Sequence, residues 1–157
     1  MTSPAKVPFK GKTPTVKIDV ADVKKIIGNP ERFKYEAAWD HDDYRKFSPG
    51  EVCFPIFMDT VKPQRNSTFV DWGAGTGRAG HAAWKNGLDV TMVDFVPTCL
   101  DEQVRDDLCD TLTFVEHDLT KPLDKRSDWG YCCDVLEHIP EEDIDKVLKN
   151  VLYNSRE

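Results

Sequence analysis

Four aspartates, Asp71, Asp94, Asp118 and Asp134, each follow a short apolar run. Between the first two lie Gly73, Gly75 and Gly77, with Gly80 three residues further on. A glycine-rich turn lets a ligand approach the backbone closely. It also aims the unpaired N–H groups of a following helix at that ligand. One acid beside such a turn is ordinary; four in register form an acid-lined crevice suited to a cationic ligand. Asp134, Glu137 and His138 add a second cluster. There His138 is the candidate general base, for which a polar helix-entry residue is the bland alternative. A divalent metal on Asp134, Glu137 and His138 needs further ligands, such as His41 or His117, so no metal is assigned.

The elements that must position these groups can be read from periodicity. Thr68–Asp71, Asp89–Asp94, Leu112–Glu116 and Trp129–Val135 read as strands. Helices are expected over Val16–Ile27, Pro30–Trp39, Val52–Val61 (despite Pro55) and Arg78–Asn86, which stops at Gly87. Further helices run from Pro97 through Leu108, with Leu100, Val104 and Leu108 on one face, and from Pro140–Glu141 onward. The last has Ile144, Val147, Leu148, Val151 and Leu152 inward. Ser48-Pro49-Gly50-Glu51 reads as a capped helix start. Strands alternating with helices imply an α/β doubly wound, mainly parallel sheet with helices on both faces. Its ligand crevice lies off the carboxyl ends of the strands.

The glycines can be counted two ways. Gly75, Gly77 and Gly80 give the dinucleotide fingerprint G-x-G-x-x-G. Gly73, Gly75 and Gly77 behind Asp71 resemble motif I of class I, Rossmann-like S-adenosylmethionine-dependent methyltransferases. Val93-Asp94, His117-Asp118-Leu119 and Asp134-Val135-Leu136-Glu137-His138-Ile139 extend that resemblance in order and spacing over just under half the chain. It implies S-adenosylmethionine as cofactor. Gly73, Ala74, Gly75, Thr76 and Gly77 would line its methionine part, and Asp71 would meet its amino group. Asp94, with Phe95 beside it, would hold the ribose; Asp118 and Leu119 would take the adenine. Asp134 and Val135 would line the transfer site. Upstream, Tyr44 and Arg45 would close over the cofactor, the guanidinium meeting its carboxylate. The cofactor's ammonium and sulfonium suit an acidic crevice better than a pyrophosphate would. An NAD-dependent oxidoreductase is therefore the lesser reading.

The implied function is methyl transfer to a small-molecule acceptor; the alternative is a non-catalytic protein or subunit that binds S-adenosylmethionine or S-adenosylhomocysteine. Trp39, Tyr44, Phe47 and Trp72 could stack on a planar acceptor. A net charge of −7 disfavours broad nucleic-acid contact, which needs a basic face. No apolar run spans a membrane, and the N-terminus lacks a signal-peptide core, so a cytoplasmic protein with buried, reduced cysteines is expected. Residues 1–17 read as a weakly basic flexible tail, 18–66 as a helical cap, and 67–157 as the cofactor-binding domain. The strands stop short of the fifth strand and hairpin that usually complete this fold, so a short form or fragment is expected. The fourth strand then needs a covering element, a partner subunit or a second copy.

Overall fold

Residues 30–155, described by a computed structural model, alternate helix and strand as the acid-terminated apolar runs require. In chain order the elements are α1 (Pro30–Trp39), α2 (Asp42–Lys46), α3 (Pro49–Val61), β1 (Thr68–Trp72), α4 (Arg78–Lys85), β2 (Asp89–Asp94), α5 (Glu102–Asp106), β3 (Leu112–Glu116), β4 (Trp129–Cys132) and α6 (Glu141–Asn154). Short 3-10 turns cover Pro97–Cys99 and Leu136–His138. The helix expected over Val16–Ile27 and the tail 1–17 lie outside the described residues. From Glu31 on, the described chain clusters as one unit.

The four strands are all parallel and ordered β3-β2-β1-β4. The chain leaves β1 toward β2 and β3, then returns to the other side of β1 for β4. This reversal opens a crevice at the carboxyl ends of β1 and β4, the position where such sheets take ligands. Alternation along β1 sorts its side chains between two layers. Phe69 packs with Phe54, Ala79, Ala83, Val90 and Met92 under α3 and α4. Val70 and Trp72 pack with Val93, Leu119, Val135 and Val147 under α6. Trp72 is therefore a core residue, fully buried, and is no platform for an acceptor. No described helix is long and apolar enough to cross a membrane.

Two helices depart from expectation. The stretch from Pro97 to Leu108 is broken: Leu100 is extended at φ −59° and ψ 137°, and α5 starts only at Glu102. The reason lies outside the segment. Arg45 takes the carbonyls of Thr98 and Cys99, which a continuous helix would need. Leu108, left off the end, is exposed. On α6, Val147 is buried but Leu148 and Leu152 face outward, and Asn150 and Asn154 take inner positions. Their amides hold up the helix-free β3–β4 connection. Leu123 N–H donates to Asn150 Oδ1 at 3.1 Å and Lys125 N–H to Asn154 Oδ1 at 2.9 Å; Asn150 Nδ2 donates to Lys121 O and Asn154 Nδ2 to Leu123 O. Buried backbone needs such partners.

β4 is shorter than expected, because Asp134 turns into the left-handed region at φ 60°. Its outer edge is met by Ser155, which forms a parallel bridge with Ser127 and lies over Gly130. A Cβ on Gly130 would sit 1.9 Å from Ser155 Oγ. Ser48 precedes α3, but its hydroxyl accepts from Thr76 Oγ1 at 3.3 Å rather than capping the helix. Only Cys99 is buried among the cysteines; Cys53, Cys109 and Cys132 are exposed and Cys133 is half-buried, all as free thiols.

Candidate functional site

The glycine turn forms the floor of the crevice. Gly73 and Gly75 have φ of 74° and 51°, values that side chains rarely adopt. There is also no room for a side chain. A Cβ on Gly73 would lie 2.5 Å from Val135 Cγ2, and one on Gly75 would lie 3.2 Å from Trp39 Cη2. Gly73 and Ala74 N–H groups donate to Val93 O, which ties the turn to β2.

Asp71 sits beneath this turn and does not line the crevice. It faces α4, where Gly80 N–H donates to its Oδ2 at 2.9 Å, and it is buried. Burial pushes its carboxyl up to about 7, partly offset by the Gly80 bond. Gly80 is the close-packing position of α4: a Cβ there would meet Met92 Cγ at 2.7 Å. In this structure Asp71 supports the turn through the bond that it accepts from Gly80 N–H. The support also matters for ligand choice, because an aspartate already occupies the N-terminal turn of α4 where a pyrophosphate would bind.

Asp94 is placed at the crevice. Its Oδ2 accepts Gly75 N–H at 3.0 Å and its Oδ1 accepts Val96 N–H at 3.1 Å. Burial raises its pKa against those bonds. Asp118 heads the β3–β4 connection, where its Oδ1 accepts both Thr120 N–H and Thr120 Oγ1–H. Leu119 and Val135 lie together in the core layer under α6.

The upstream segment covers the floor. The Trp39 indole lies over Gly75, and Tyr44 meets it edge-on with centroids 4.8 Å apart. Arg45 is a latch in this structure. Its guanidinium donates to Trp39 O at 2.7 Å, Cys99 O at 2.9 Å and Thr98 O at 2.5 Å, and lies 3.5 Å from Asp101. Those bonds occupy the group expected to meet a ligand carboxylate. Arg78 is engaged likewise, with Asp101 Oδ2 at 2.6 Å and Arg45 O at 3.0 Å.

Across from the floor, Asp134, Glu137 and His138 each bring one ligand-type atom within 4.8 Å of the others. His138 Nε2 lies 3.9 Å from Asp134 Oδ2. A hydrogen bond with Glu137, then burial, raises the Asp134 carboxyl above its ordinary value. Tyr35 of α1 was not singled out from sequence. Its ring meets His138 and Phe95 edge-on, each at 5.7 Å, and its hydroxyl is buried with no hydrogen-bond partner. The i, i+4 spacing of Tyr35 and Trp39 on α1 was the available signal.

Comparison with known proteins agrees with this geometry. The methyltransferase domain family matches residues 69–154. No curated protein sequence matches the chain. Among solved structures, a magnesium protoporphyrin IX methyltransferase from Synechocystis PCC 6803 with bound S-adenosylmethionine is similar at TM-score 0.61 and 15% identity. The match covers 90% of this chain and 74% of that one. A Burkholderia thailandensis 1,6-didemethyltoxoflavin-N1-methyltransferase, with bound 1,6-didemethyltoxoflavin and S-adenosylhomocysteine, is similar at TM-score 0.68 and 17% identity. There the match covers 98% of this chain and 64% of that one. A chain in the complex between the Haloferax volcanii Trm112 methyltransferase activator and a methyltransferase is similar at TM-score 0.62 and 18% identity, covering 76% and 53%. The chain thus spans less than two thirds of the length of the latter two.

Proposed function

Because the chain belongs to the methyltransferase domain family, whose cofactor is S-adenosylmethionine, we propose that it transfers a methyl group from that cofactor to a small-molecule acceptor. The observation that carries this is the pairing of Asp94 with the Gly75 amide at the crevice floor. It puts a carboxylate where an adenosyl ribose can donate to it, beside glycine backbone over which the Trp39 indole lies. The donor set fits the cofactor. Asp94, Asp118 and Asp134 surround the crevice, both nearby arginines are engaged by protein groups, and the α4 N-terminus is taken by Asp71. That chemistry accepts an ammonium and a sulfonium, and Arg45 and Arg78 are not free to meet a pyrophosphate.

When bound, S-adenosylmethionine supplies a methyl group activated on a sulfonium. The backbone of Gly73, Ala74, Gly75, Thr76 and Gly77 lines its methionine part. Asp94 accepts from the ribose hydroxyls, with Phe95 beside it. Asp118 would accept from the adenine amino group through the oxygen not engaged by Thr120, with Leu119 packing on the ring, and Val135 would line the transfer site with Asp134. Tyr44 and Trp39 close the open side and exclude water, held by Arg45. Asp71 acts on the site through the turn it supports. Asp134 faces the reacting end, and His138 takes the acceptor's proton.

A second copy or a partner subunit would cover the outer edge of β4. A cytoplasmic location is part of this reading.

Calorimetric titration with S-adenosylmethionine and S-adenosylhomocysteine, followed by transfer of labelled methyl to a metabolite pool, tests the reading. Binding with transfer is expected. Tight binding with no transfer to any acceptor would assign a non-catalytic binding protein. No binding, with affinity for a nicotinamide dinucleotide instead, would sink the methyltransferase reading.

A further inference from the structure

Resting on that methyl-transfer reading, we infer that the acceptor is a small molecule bearing a basic amine, received by Asp134, Glu137 and the Tyr35 hydroxyl. Two independent observations converge on this wall of the crevice. The first is the acid pair. Asp134 holds a left-handed backbone, uncommon for a non-glycine residue. There its carboxylate stands with those of Glu137 and the His138 imidazole inside 4.8 Å. Both acids are exposed, and two carboxylates this close call for a cation or a shared proton between them.

The second observation is the Tyr35 hydroxyl. It is more than nine-tenths buried and has no partner within the protein. A buried hydroxyl left unpaired is costly, so its partner is expected in a ligand. Its ring lies against His138, which places it in the same wall; burial raises its pKa, and Lys34 is the group that most offsets this. Lys34 reaches the Tyr35 side chain. Its ammonium lies over the Tyr35 ring, 4.8 Å from the centroid, and 3.4 Å from Glu31 rather than on the acid pair.

The acceptor's hydrogen-bonding capacity follows from this inventory. Asp134, Glu137 and the Tyr35 oxygen are three acceptors. A primary ammonium brings three donors and a positive charge and can satisfy all of them. An alcohol or phenol brings one donor, and a carboxylate brings none and is repelled. The amine arrives protonated, and His138 removes one proton. The nitrogen lone pair then forms the N–CH₃ bond as the S–CH₃ bond breaks. The bonding pair stays on sulfur, which becomes a neutral thioether, and the positive charge moves to the methylated nitrogen. His138 passes its proton to solvent.

The test uses the full chain saturated with S-adenosylhomocysteine. Phenethylamine and butylamine are titrated calorimetrically beside their matched alcohols and carboxylates. The expected result is at least one amine binding tenfold or more tighter than its alcohol, with no detectable binding of the carboxylates. Glu137→Gln and Tyr35→Phe should each weaken that amine at least fivefold, with S-adenosylhomocysteine affinity within twofold of the parent. The inference is overturned if neither amine binds, if an alcohol or carboxylate binds as well, or if the preference survives Glu137→Gln. Failure of S-adenosylhomocysteine itself to bind would overturn the underlying methyl-transfer reading, a distinct outcome seen before any amine is added.

Discussion

Gly80 N–H donates to Asp71 Oδ2 at 2.9 Å, joining the end of β1 to the first turn of α4 beneath the glycine loop. The bond keeps a buried carboxylate paired but does not cancel its desolvation, and the group titrates near pH 7 in the fold against about 3.8 when exposed. The folded state therefore holds this proton more tightly than the unfolded chain. Its contribution to stability is greatest at low pH, falls as pH rises from about 4 to about 7, and levels off above that. The size is on the order of a few kcal/mol. Melting temperature should drop between pH 5.5 and 7.5 more steeply in the parent than in Asp71→Asn, which cannot ionise. Equal slopes would show that Asp71 is not the group responsible.

Gly73→Ala should destabilise the fold by about 3 kcal/mol, combining left-handed strain with overpacking. The added methyl would fall 2.5 Å from Val135 Cγ2. Urea denaturation measures the loss, and Val135→Ala in the same chain should recover part of it. A neutral Gly73→Ala would mean that the turn can shift away from Val135.

Asp94→Asn should weaken S-adenosylmethionine binding at least tenfold, about 1.4 kcal/mol, with little change in fold content by circular dichroism. An amide can accept at only one of its two ends, whereas both Asp94 oxygens now accept backbone N–H groups. Unchanged calorimetric affinity would remove Asp94 from the ribose role.

Asn154→Leu should cost about 3 kcal/mol in chemical denaturation, because it strands the Lys125 N–H and the Leu123 carbonyl in a buried place. Leu152→Asn, two residues earlier on the outer face, should stay within about 0.5 kcal/mol. If the two substitutions rank the other way, the amide scaffold is not what holds the β3–β4 connection.

Much of the frame was legible because each strand is an apolar run ended by an acid. β2 and β3 fall at Asp89–Asp94 and Leu112–Glu116, as read from sequence. What stayed hidden depends on partners far along the chain. Helical spacing from Pro97 to Leu108 could not reveal that Arg45, more than fifty residues upstream, would claim two of its carbonyls. The i, i+4 asparagines of α6 look like a solvent face until the connection they hold is in place. At the site, the glycine turn and Asp94 were readable from a local motif. Asp71 turning under α4, Arg45 turning to carbonyls and the unpaired Tyr35 hydroxyl were not, since each follows from tertiary packing.

The parallel pairing of β1 with β4 also sets an order of events during synthesis. Phe69 pairs with Trp129, and Thr68 N–H donates to Asp128 Oδ2 sixty residues away. When β1 and β2 have left the ribosome, one edge of the central strand must still wait for that distant segment. Such non-local closure slows folding and leaves an apolar edge open to wrong partners in the interval. The nascent chain is therefore most vulnerable to aggregation after Asp94 has emerged and before Cys132 has.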